Sequence, residues 1–201
     1  MDRDVAIQQL NKLQGQDLHK LASQYGVTIK TPKGTVDKGW VGKTCEGFLG
    51  LSSNSLQSPD FGDWELKTIP IKSLKNGKLS FKETMAVTMM NPEDVVNTPF
   101  EDSHLLAKLK SLVVVSRTVG KTNDDPTSFY SATAFDLPDD LYQIIKADYE
   151  LVQDTIKNKG FSSLTGKMGK YIQPRTKGSK GSTSRAFYAR PQFLKLFIDL
   201  D

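Results

Sequence analysis

The run Leu112-Val113-Val114-Val115, inside LVVVSRTV (112–119), most constrains the fold. Consecutive apolar residues leave no polar face, so this segment reads as a buried central strand. The turn-rich GKTNDDPTS follows, and FYSATAF then reads as the next strand, pairing back on the first. Pro138 can occupy the first turn of a long helix to about Asn158, with Leu141, Ile144, Ile145, Tyr149, Val152 and Ile156 inward. Gly160 is its stop. A last helix, about 191–199, closes the domain. The class implied is α/β.

Before the apolar run, residues 3–13 and 17–25 read as two short helices, the second with Asp17 at its start and Gly26 at its end. Thr35 can cap a third helix whose buried stripe is Val36, Trp40, Val41, Phe48 and Leu49. Glu46 is an acid on this glycine-rich, apolar helix, where it serves equally as a surface carboxylate or a site residue. LSSNSLQSP is a polar link.

The stretch SPDFGDWELKTIPI comes next. Side chains alternate along a strand, so Glu65 and Lys67 share one face while Trp64 and Leu66 point into a core on the other. Asp60, in the preceding turn, can bring a second carboxylate to the Glu65 face. Two acids and a lysine at a strand end suit a divalent-metal phosphodiesterase, with carboxylates on the metal and the ammonium at the attacking water. Spacing alone favours a solvated strand edge, because Glu-x-Lys is common in strands. Asn76-Gly77 is a hairpin signal, because both residues tolerate positive φ, and the return strand spans roughly 81–90. A helix over 101–110 opens at Asp102-Ser103.

Net charge is only +4, but its distribution is uneven. From Lys157 to Lys195 there are ten Lys or Arg and no Asp or Glu, which suggests a phosphate-facing surface. Within it, glycine and serine permit close backbone approach to a ligand, while Arg and Lys neutralise phosphates or read guanine edges. The single cysteine, Cys45, excludes an internal disulfide and a multi-cysteine zinc site, which suits a cytoplasmic location. The N-terminus carries acids and no apolar core of a signal peptide, and no apolar run approaches membrane-spanning length. The two histidines have no Ser or Cys constellation for nucleophilic catalysis.

KGWVGKTCEGFLG, PDFGDWELKTIPI, QPRTKGS and AFYARPQF, in that order, resemble the MutH family of DNA endonucleases, over roughly Lys38 to Phe193. That family comprises methyl-directed mismatch-repair nickases and type II restriction enzymes that cut at GATC. The resemblance implies the restriction-endonuclease-like PD-(D/E)xK fold, a mixed central sheet flanked by helices. It implies one nuclease domain over 1–201: an N-terminal helical lobe (1–30), a catalytic core (35–135) and a helix with a basic DNA-recognition segment (138–201).

It further implies Asp60 and Glu65 as metal ligands with the Leu66 carbonyl, Lys67 as the water-associated lysine and Glu46 as the supporting carboxylate. Mg²⁺ is the expected metal, with Mn²⁺ substituting. Lys38 becomes a phosphate contact, and Lys108 matches a family lysine. Arg175 and Lys177 fall on the DNA-reading loop with Gly178. Tyr188 falls on the adenine-sensing position, and Arg190 completes the DNA-binding set. The expected partner is double-stranded DNA, bound by a homodimer or with a mismatch-repair activator protein. KSLKNGKLSFKE looks closer to the restriction branch, so a restriction-type enzyme is preferred to a mismatch-repair nickase. A DNA-binding module without catalysis is the remaining alternative.

Overall fold

The computed structural model describes residues 1–51, 62–122, 125–179 and 181–200. Asp60 and the polar link from Ser52 lie outside them. The elements run α1 (Arg3–Asn11), α2 (Leu18–Gln24), α3 (Trp40–Phe48), β1 (Glu65–Ser73), β2 (Leu79–Phe81), β3 (Met85–Met90), α4 (Pro92–Asn97) and α5 (His104–Leu109). They continue β4 (Ser111–Val119), β5 (Thr127–Asp136), α6 (Asp139–Lys159), β6 (Ile172–Thr176), β7 (Arg185–Ala189) and α7 (Pro191–Leu194).

A four-stranded mixed sheet, ordered β2-β1-β4-β5, forms the centre. β1 lies parallel to β4, and the other two pairings are antiparallel. The apolar run becomes β4, buried on both faces as its composition demands. Leu112 and Val114 join Ile69 and Ile71 of β1 in one core, shared with α5 and α6. Val113 and Val115 join Leu66 in a second core, with Trp64 and helices α1 to α3. Each hydrophobic layer therefore takes alternate residues of the same two strands. Helices α1 and α2 pack on β5, where the Asn11 side chain exchanges hydrogen bonds with the Ala132 main chain, donating at 3.1 Å and accepting at 2.8 Å.

The structure corrects several expectations. The mixed sheet is accompanied by a separate antiparallel one, ordered β3-β7-β6. The return strand over 81–90 is in fact two: β2 closes the Asn76-Gly77 hairpin on β1, and β3 leaves after Thr84 to pair with β7. The hairpin signal locates the turn but says nothing of how far pairing extends. Thr35 caps nothing; α3 starts at Trp40 after Gly39, and Asp37 accepts from the Gly39 N–H at 2.9 Å, drawing the entry turn downstream. The closing helix is one turn, Pro191–Leu194. α4 was not expected, although its cues were present: the Asn91 side chain accepts from the Glu93 N–H, and Pro92 fills the first turn.

Candidate active site and nucleic-acid interface

Glu65 opens β1 on the face that continues with Lys67 and Ile69. Its side chain is 1% exposed. A buried carboxylate needs compensating charge, and two lysines supply it. Lys67 donates from the same strand. Lys108 comes from α5, 43 residues along the chain, and its Nζ lies 3.0 Å from each Glu65 oxygen. Lys108 is itself buried, and α5 is positioned by Ser103, whose Oγ accepts from the Leu106 N–H. The alternation argument thus holds: Glu65 and Lys67 face one way, Trp64 and Leu66 the other.

Glu46 projects from α3, which packs against β1. Its Oε2 is buried and has no hydrogen-bond partner among the described residues. Among the described residues nothing bonds it to Glu65 or Lys67. An orphaned carboxylate oxygen on one element and a lysine-clamped carboxylate on the next are the oxygen donors that a hard divalent cation takes. Among the described residues no group of three or more acids, histidines or cysteines is assembled. Asp60, the other expected ligand, lies outside them. The residues present fit such a cation in donor type.

A cationic surface adjoins this centre. Lys177 follows β6, and its pKa is lowered, first by desolvation and then by the neighbouring Lys67 and Lys38 charges. The charges of Lys38 and Lys67, both expected site lysines, therefore reach Lys177. Lys177 and Lys108 also line one cleft of about 460 Å³, with Ser103, His104 and Tyr149.

β6 and β7, which carry Arg175 and Tyr188, are antiparallel neighbours. Arg175 on β6 places its guanidinium 5.8 Å from the ring centre of Tyr188 on β7, and its Nη1 donates to Thr84 Oγ1 at 2.9 Å. Desolvation pushes the Tyr188 phenol up, with Arg175 opposing and Glu83 adding to the rise. Gly178 has φ +121°, and a Cβ there would meet Ser182 Oγ at 2.8 Å. Only glycine suits this backbone.

Arg190 sits differently from the rest of the expected DNA-binding set. Its Nη2 donates to the carbonyls of Gly166 and Met168 at 2.9 Å each, and its Nε donates to Gly169 O at 3.2 Å. It fastens the loop before β6. Asp148 on α6 does the same from the other side, accepting from the N–H groups of Lys170, Tyr171 and Ile172 at 2.6, 2.7 and 2.8 Å. The sequence reading missed Asp148, yet an acid inside the stripe Ile145, Tyr149, Val152 was a signal, since an acid on a buried face needs partners. Thr84 and Glu83 were also missed; nothing in the sequence ties them to Arg175 and Tyr188 before β3 is seen beside β7.

The model of the DNA mismatch repair enzyme MutH matches residues 49–148. The DNA mismatch repair protein MutH of Shewanella woodyi is 31% identical over 182 residues, covering 88% of this chain and 75% of that protein. The chain belongs to the MutH family. Within the wider MutH-like set, the type II restriction enzyme Sau3AI of Staphylococcus aureus is 32% identical over 166 residues, 80% of this chain. The chain spans about a third of the length of that enzyme, 33%. A restriction endonuclease MvaI–cognate DNA substrate complex overlays with a TM-score of 0.38 and 15% identity, covering 98% of each chain. Family membership and the mixed sheet flanked by helices agree on the expected restriction-endonuclease-like class.

Proposed function

We propose that this MutH-family chain is a metal-dependent, sequence-specific DNA endonuclease of the restriction type, acting at GATC-like sites. The observation that carries the reading is Glu65, buried at the start of β1 and bonded by both Lys67 and Lys108. Burying a carboxylate against two ammoniums costs desolvation, and a purely structural strand end has no need of it. The restriction reading is further supported by the likeness to Sau3AI.

Asp60, Glu65 and the Leu66 carbonyl would hold Mg²⁺ or Mn²⁺, with Glu46 in support. The bound cation supplies charge stabilisation for the phosphoryl oxygens and the leaving 3′ oxygen. Lys67 orients the attacking water and favours its deprotonation. Lys108 holds Glu65 in place. Water adds to phosphorus, the P–O3′ bond breaks, and the products carry a 3′ hydroxyl and a 5′ phosphate. Arg175 and Lys177 approach base edges in the major groove, and Tyr188 stands at the adenine. Lys38 and Gly178 serve the backbone and the close approach of the loop.

A duplex labelled on both strands, with one GATC, tests this. Cleavage of both strands at the site with Mg²⁺ and none with EDTA is expected. Cleavage of one strand alone would favour the mismatch-repair nickase reading, in which a partner protein activates the enzyme. Binding with no cleavage in Mg²⁺, or in Mn²⁺ put in its place, would leave a DNA-binding module.

A further inference from the structure

Arg117, on β4, is half-buried, and its Nε is buried with no hydrogen-bond partner among the described residues. Among the described residues its guanidinium makes no ion pair. Two acidic groups of unequal use lie near: Glu83, which acts on it through space, and the Cys45 thiol, whose pKa burial pushes up to about 12 and which is therefore neutral. A desolvated guanidinium without a bonded anion is an unstable arrangement in isolation. Its surroundings are mostly cationic. Arg117 lines a cleft of about 430 Å³ together with Lys38, Lys82 and Glu83, walled by Trp40 with His19 stacked on it at 5.0 Å. Three cations face one carboxylate there. The Lys38 charge also lowers the Lys177 pKa, as does the charge of Lys67.

We infer that this cleft is a second phosphate site, in which Arg117 and Lys82 take a backbone phosphodiester of the bound duplex away from the scissile one. The inference rests on the endonuclease reading and deepens it. A guanidinium suits the site because its planar fork can grip two phosphoryl oxygens at once. Glu83 keeps the empty cleft from excessive positive charge and is displaced from influence when phosphate enters.

The test uses anisotropy of labelled GATC duplexes in EDTA, each carrying a neutral methylphosphonate at a single position. For the wild-type protein, one or two positions outside the scissile phosphate weaken binding about five- to tenfold. In Arg117→Met the same positions have no further effect, affinity falls alike for cognate and scrambled duplexes, and the log–log salt slope drops by about 1. Lys82→Gln, at an exposed residue, gives the same coupling if Arg117→Met does not fold. Positions that weaken both variants as much as wild type overturn the inference while leaving the endonuclease reading intact. Wild-type protein that binds no duplex removes both. Stabilisation by inorganic phosphate that Arg117→Met abolishes, without any coupled DNA position, assigns the cleft to free phosphate and overturns the DNA assignment.

Discussion

Lys108 Nζ stands 3.0 Å from both carboxylate oxygens of Glu65, although α5 and β1 are separated by the hairpin, β3 and α4. The pair ties the helix to the strand end at the centre of the candidate site. Lys108→Met leaves Glu65 with Lys67 but without its second cation. The expected loss of stability is about 2–3 kcal/mol, below the ~3–5 kcal/mol of an outright orphaned buried charge. Single-turnover cleavage should fall by about a hundredfold or more. Denaturant unfolding and quench-flow cleavage of the same preparation measure both.

Arg175, the proposed base-reading residue, is held by Thr84 and the face of Tyr188. Arg175→Ala should cost about 1–3 kcal/mol of discrimination between GATC and a single-base variant, the worth of a bidentate base contact. An unchanged ratio of cognate to non-cognate affinity would make it a phosphate contact. Thr84→Val should show the same effect in reduced form, because the guanidinium loses a tether but keeps its ring.

The start of β6 hangs from the Asp148 carboxylate by three backbone N–H groups. Asp148→Ala strands those donors in a partly buried loop. About 3 kcal/mol should be lost, lowering the melting point by about 6–12 °C. Gly169→Ala should damage the same junction, since its φ is +75° and a Cβ would come within 1.8 Å of Ile172 O. Calorimetry of the two variants checks the magnitudes.

Much of this architecture was legible. The doubly buried β4, the hairpin at Asn76-Gly77, the Asp17 cap and the long α6 follow from local pattern. The pairing of Glu65 with Lys67 followed from strand alternation. Lys108 on Glu65 did not, because bringing α5 to β1 is a tertiary event that spacing does not encode. The split between β2 and β3 was hidden for the same reason: β3 finds its partner in β7, about a hundred residues on. Arg190, expected among the DNA contacts, bonds the carbonyls of the loop before β6, a tertiary arrangement that sequence pattern does not encode.

Lys177 gives a pH-dependent prediction. Desolvation and the Lys67 and Lys38 charges hold its folded pKa below the ordinary 10.5. Between the two values the unfolded chain keeps the proton and the folded chain releases it. The contribution of this group to stability therefore rises with pH across that window. Lys177→Met should raise the melting point of the DNA-free protein by about 1–2 °C at neutral pH, while weakening DNA binding. The gain in melting point should shrink as pH rises through the lowered pKa. A melting series from pH 7 to 10 follows it.

Glu65 and its lysines are proposed to cut DNA at GATC with a divalent cation. Purified protein with Mg²⁺ and supercoiled plasmid, grown with and without adenine methylation at GATC, tests it in one gel. The account predicts linear fragments ending at GATC from the unmethylated plasmid. It predicts no cleavage by Glu65→Gln, which still retards the plasmid. Wild-type protein that leaves both plasmids supercoiled in Mg²⁺ and Mn²⁺, or a Glu65→Gln variant that cuts as fast as wild type, would contradict it.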